Sequence, residues 1–131
     1  MIVEYIRYAI PAERAAAFED GYAAAQAALE ASPHCLGWEL SRCTEEPTSY
    51  ILRIEWDSAD GHLQGFRRGP HFREFFAAIR PFVNDIQEMR HYERTAITKE
   101  RQVSDMKSEQ NDVHLSALPA PVVTGQQEKG V

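Results

Sequence analysis

The chain has 131 residues, a size that suits one domain, and 44% of them are hydrophobic, with two Trp, five Tyr and six Phe to build a core. The formal charge of −6 at pH 7 argues against nucleic acid and against anionic membrane surfaces, because both demand clustered Lys and Arg. No apolar run approaches the roughly 20 residues that cross a bilayer. The N-terminal stretch Met1-Ile2-Val3-Glu4-Tyr5-Ile6-Arg7 lacks the charged leader and apolar block of a signal peptide, so the expected compartment is the cytoplasm.

Residues 2–10 form an apolar run rich in β-branched and aromatic side chains, which predicts a strand. Pro11 suits the first residue of a helix. Residues 12–31 are alanine-rich, and Phe18, Tyr22, Ala25 and Leu29 recur at helical spacing before Ser32-Pro33 ends the run. Residues 34–43 alternate, with Leu36, Trp38 and Leu40 on one side and Gly37, Glu39 and Ser41 on the other. The turn Glu45-Glu46-Pro47-Thr48 follows. Residues 49–56 alternate again, with Tyr50, Leu52, Ile54 and Trp56 opposite Ile51, Arg53 and Glu55. The two segments read as a hairpin with one strongly apolar face.

Ser58 is the expected N-cap of a short helix carrying Leu63 and Phe66. Gly69-Pro70 breaks it and starts another, in which Phe72, Phe75, Phe76 and Ile79 make an apolar stripe. Pro81 stops that helix, and residues 82–93 read as a final strand. The order β-α-β-β-α-β is the split βαβ arrangement of ferredoxin-like folds, an α+β class. Its antiparallel sheet carries helices on one face. The other face needs a cover, and a second copy of the chain is the simplest one, which makes a homodimer the expected partner.

Composition breaks near Arg94. Residues 1–95 hold every aromatic residue and no Lys, whereas residues 96–131 hold every Lys and no aromatic. The second stretch is expected to be a flexible polar tail, with a helical turn near 97–107, because it buries too little apolar area to offset its ordering entropy. Its removal after Thr95 should be tolerated. The alternative is that Val113, Leu115, Leu118 and Val122 dock on a neighbour. Cys35 and Cys43 fall on one strand, roughly 26 Å apart at about 3.3 Å per residue, so a disulfide between them is not expected. No CxxC or HExxH spacing supports a metal site.

Three stretches carry a resemblance: Arg53-Ile54-Glu55-Trp56-Asp57-Ser58, then Gly61-His62-Leu63-Gln64-Gly65-Phe66, then Gly69-Pro70-His71-Phe72-Arg73-Glu74-Phe75-Phe76. A strand ending in Trp-x-Ser, a short helix opening with His, and a Gly-Pro-His-Phe restart resemble the antibiotic biosynthesis monooxygenase (ABM) domain family over residues 1–95. The resemblance implies a dimeric α+β barrel in which two ferredoxin-like sheets pack face to face. Some members of that family oxidise polycyclic or quinol substrates with O2 and no metal or flavin, and others degrade haem. Fold and family alone do not fix the activity. The haem-degrading members carry an Asn on the first strand, a Trp on the short helix and a haem-ligating His on the next. Those positions fall here near Ile6, Gly65 or Phe66, and Phe75, none of which does that chemistry, so this sequence is a poor candidate for that branch unless His62 or His71 acts as a displaced ligand.

Oxidation by O2 without a cofactor requires the substrate to supply the electrons. A base near working pH, donors for the developing oxyanion and an apolar cavity for a flat ring are then needed. His62 and His71 are the candidate bases. Trp56, Phe66, Phe72 and Phe75 are the candidate aromatic lining, although as core residues they need no other role. Tyr8, Trp38 and Arg53 are candidate donors to a substrate oxygen, with Arg53 also suited to pair with Glu39 or Glu55 at a dimer interface. His34 and His91 have no motif around them and are expected to be structural. The leading expectation is a cofactor-independent monooxygenase acting on a quinol or other electron-rich aromatic, with no metal. The alternatives are a non-catalytic dimeric small-ligand-binding or stress-associated module and, third, haem binding or degradation.

Overall fold

The computed structural model describes residues 1–101. Met1–Arg94 form one compact unit. Residues 95–101 carry no strand or helix, and the apolar residues Val113, Leu115, Leu118 and Val122 lie outside the described residues.

Strand β1 (Ile2–Ala9) is followed by a 3-10 turn (Ala12–Arg14) and helix α1 (Ala15–Ala31), then by strands β2 (Cys35–Arg42) and β3 (Ser49–Trp56). A wide, π-type turn (Gly61–Phe66), helix α2 (His71–Ile79), a 3-10 segment (Arg80–Asp85) and strand β4 (Ile86–Glu93) complete the unit. The sheet is antiparallel, with strand order β2-β3-β1-β4. This is the expected ferredoxin-like α+β fold.

Period-two alternation decides which side chains face the helices. Glu4, Ile6 and Tyr8 of β1 and Tyr50, Leu52, Ile54 and Trp56 of β3 are all buried. Phe18 of α1 centres the core, with Tyr8, Phe82, Tyr22 and Tyr50 rings at 4.8–5.4 Å. Such edge-to-face aromatic pairs add about 0.5–1.5 kcal/mol each beyond burial. The opposite sheet face presents Tyr5, Ile51 and Tyr92, each more than a third exposed.

Four local expectations are corrected. Pro11 is extended (ψ 151°) and precedes the helical turn instead of opening it. Leu36 is exposed because a bulge between Cys35 and Gly37 puts Cys35, not Leu36, on the face of Trp38 and Leu40. Leu63 points to solvent. The last strand begins at Ile86, because Pro81 converts the end of α2 into a 3-10 segment that occupies residues 80–85.

Candidate functional site

The helices and the sheet enclose a cavity of about 140 Å³. Its walls are apolar: Ile6 and Ile54 from the sheet, Phe66 from the π-turn, Phe72, Phe75 and Ile79 from α2. Its polar lining residues are Glu4, His62 and Arg67, with Tyr8 and Tyr22. A cavity of about 150 Å³ holds one benzene ring, whereas pockets for drug-sized ligands run to roughly 300–1,000 Å³.

Glu4 and His62 are 4% and 3% exposed, so both are taken almost wholly out of water. Glu4 Oε1 accepts a hydrogen bond from Trp56 Nε1 at 3.0 Å and lies 3.6 Å from His62 Nε2. Its Oε2 lies 3.5 Å from His91 Nε2 on β4. Burial raises the Glu4 carboxyl above its ordinary range, and the Trp56 bond and the His91 charge only partly counter that. Burial, with help from the positive charge of His91 and Arg67, pushes His62 down to about 4, so its imidazole is neutral at pH 7. Among the described residues, neither ring nitrogen of His62 has a hydrogen-bond partner. A buried polar group left in that state is costly in a purely structural role. Among the described residues, Glu4, His62 and His91 offer one ligand-type atom each within 4.8 Å of one another and could hold a divalent cation.

The π-turn is what brings His62 inward. Ser58 Oγ accepts from the Gly61 N–H at 2.9 Å, the expected cap. The turn then passes so close to the His34–Asp57 pair that a Cβ on Gly65 would meet the His34 ring at 2.3 Å and one on Gly61 would meet Asp57 Oδ1 at 2.0 Å. The side chain of His62 stacks on Trp56, with ring centroids 4.5 Å apart. The structural expectation for His34 agrees with this clamp.

The second polar spot is the buried hydrogen bond between the Tyr8 and Tyr22 hydroxyls. Burial lifts Tyr8 to about 12 and raises Tyr22 as well, so both are neutral phenols; one O–H donates to the other oxygen, and the second is left free to donate.

Of the sequence candidates, His62, Tyr8, Phe66, Phe72 and Phe75 line the cavity. Trp56 stands one layer behind, packed on His62 and Phe66. The other three are not brought there. His71 is the first residue of α2 and does not line the cavity. Trp38 lies on the edge strand β2, where Nε1 donates to Gln26 Oε1 of α1 at 3.1 Å. Arg53 falls by alternation on the open sheet face, where it pairs with Glu55 at 2.5 Å and approaches the Tyr5 hydroxyl at 3.4 Å. Sequence reasoning missed Glu4 and His91. The signal for Glu4 was its place between Ile2 and Ile6 on the core face of β1. His91 becomes visible only through the register that sets it opposite Glu4.

A curated relative, the uncharacterized protein YczJ of Bacillus subtilis (strain 168), is 28% identical over 76 residues, which cover 58% of this chain and 80% of YczJ. A solved structure of a candidate antibiotic biosynthesis monooxygenase from Bordetella bronchiseptica superposes with a TM-score of 0.60 at 27% identity, covering 72% of this chain and 96% of that one. Another, from Deinococcus radiodurans, gives 0.62 at 17% identity over 78% of this chain and all of that one, a likeness of fold. The sequence model for antibiotic biosynthesis monooxygenase matches residues 1–78. On that match, over more than half of its length, the chain belongs to the antibiotic biosynthesis monooxygenase family.

Proposed function

We propose that this chain is a monooxygenase that oxidises a small, electron-rich hydroxylated aromatic, a single-ring quinol, with O2 and without a redox cofactor. The observation that carries the reading is the buried Glu4–His62 pair in a ring-sized cavity with mostly apolar walls. A para-quinol over Ile6 would meet Glu4 and His62 with one oxygen and the Tyr8–Tyr22 hydroxyls with the other. The carboxylate of Glu4, desolvated and raised towards working pH, takes the proton from the first hydroxyl. Neutral His62 shares that proton, and the tyrosines stabilise charge at the far oxygen.

The electrons balance within the substrate. The quinolate bonds O2 at a ring carbon beside its oxygen. Proton return gives a hydroperoxide, and loss of the ring C–H proton with cleavage of the O–O bond releases water. One quinol and one O2 thus give one hydroxyquinone and one water. We also assign the open sheet face, with Tyr5, Ile51 and Tyr92 ringed by the pairs Arg7–Glu88 and Arg53–Glu55, to a second copy of the chain.

An oxygen electrode tests the reading with hydroquinone under subtraction of autoxidation. Glu4→Gln and His62→Ala should each lower the rate by about 10²-fold or more, and His71→Ala should leave it within about twofold. Unchanged rates in both cavity variants would remove the assignment. Saturable binding without O2 uptake would support the ligand-binding alternative. Uptake that a chelator abolishes and Fe(II) restores would move Glu4, His62 and His91 from proton transfer to metal holding. The cavity volume speaks against haem, and a Soret titration should show no stoichiometric complex.

A further inference from the structure

Five of the arginines, Arg7, Arg14, Arg42, Arg53 and Arg90, each have a carboxylate within 4.0 Å. Arg94 and the four residues Arg67, Arg68, Arg73 and Arg80 have none among the described residues, although the chain as a whole is acidic. Those four are not scattered. With Gly69, Phe72, Phe76 and Ala77 they line one groove of about 410 Å³ on the outer side of α2. Arg73 and Arg80 sit on the helical face of Phe76 and Ala77, and Arg67 and Arg68 come from the link between the π-turn and α2. Apart from the pull of Glu4 on Arg67, these like charges are gathered with no carboxylate paired to them and repel one another, and the arrangement is relieved when an anion enters.

The groove adjoins the cavity. Arg67, Phe72 and Phe76 line both. The Arg67 guanidinium lies over the Phe72 ring, 5.4 Å from its centroid, which holds it at the seam. Guanidinium groups in this setting suit the planar, two-oxygen geometry of a carboxylate. The cavity has room for one ring and little more, so any substituent has to lie outside it.

We propose that the substrate bears an anionic substituent, a carboxylate on a short arm, which the Arg67–Arg68–Arg73–Arg80 groove binds while the hydroxylated ring enters the cavity. This rests on the reading of the cavity as a quinol site. The arginines give that site its specificity: an aromatic acid is taken in preference to a neutral quinol of the same size.

The test compares 2,5-dihydroxyphenylacetate with its neutral isostere, 2,5-dihydroxyphenylacetamide. The acid should be preferred in kcat/KM by about tenfold or more, mainly through KM, and the preference should shrink when NaCl is raised to a level that screens surface charge. In Arg73→Gln/Arg80→Gln the acid-to-amide ratio should fall towards one. Because the ratio is taken within each variant, a general loss of activity cancels. A wild-type ratio near one, or a ratio the double variant leaves unchanged, overturns the proposal. If neither compound is turned over, calorimetric binding decides. Tighter binding of the acid, lost in the double variant, keeps the anion site and removes the quinol chemistry; equal binding removes the anion site.

Discussion

Glu4 and His62 are buried side by side, and burial shifts them in opposite senses. His62 is depressed from 6.5 to about 4, so the unfolded chain binds its proton more readily than the folded one between those values. Its contribution to stability is complete above pH 6.5 and is lost as the pH falls towards 4, a loss on the order of 1–3 kcal/mol. Glu4 is raised, so the folded chain holds that proton more readily, and its contribution weakens as the pH rises through the folded value. The two slopes oppose each other. Glu4→Gln keeps an acceptor for Trp56 Nε1 and removes one slope, so the melting temperature of this variant should drop more steeply than wild type between pH 7 and pH 4.5. Parallel curves for the two proteins would show that folding does not raise the Glu4 carboxyl. Gly65 is the other informative residue. Since a Cβ there would overlap the His34 ring, Gly65→Ala should displace the π-turn and cut quinol oxidation at least tenfold. Full activity in a folded Gly65→Ala protein would show that the clamp does not set the position of His62.

At the scale of elements, alternation in β1 and β3 and the stripe in α2 were legible because burial on one face imposes periods of 2 and 3.6 on the sequence. That is why Tyr8, Phe72 and Phe75 share the faces of their elements that the sequence pattern suggests. Three features were not legible. The bulge at Leu36 inserts one residue without a composition signal. The 3-10 segment after Pro81 carries Phe82 and Val83, which read as strand residues by type. The Glu4–His62–His91 cluster joins β1, the π-turn and β4, so no local spacing encodes it. His71 looked equivalent to His62 because a histidine near a helix start has the same local signature whether the element turns it inward or not. The core makes its own prediction. Phe18 touches four aromatic rings, so Phe18→Ala should cost about 3–5 kcal/mol in urea unfolding. A loss below about 1 kcal/mol would mean that the aromatic cluster is not the centre of the core.

For the whole molecule, the sheet is covered on one face only, and the open face mixes exposed Tyr5, Ile51 and Tyr92 with charged pairs. A domain of this size gains from burying such a face. Sedimentation at micromolar concentration should give a dimer, and Ile51→Glu should shift it to monomer. A wild-type monomer would leave the open face without the partner assigned to it. The chemistry itself has a more direct readout. Mass spectrometry of the product formed from hydroquinone under ¹⁸O₂ follows the atoms. The account predicts a hydroxyquinone carrying one ¹⁸O, with the second oxygen in water and no peroxide formed. An unlabelled benzoquinone accompanied by hydrogen peroxide, or no product above the uncatalysed background, would contradict it.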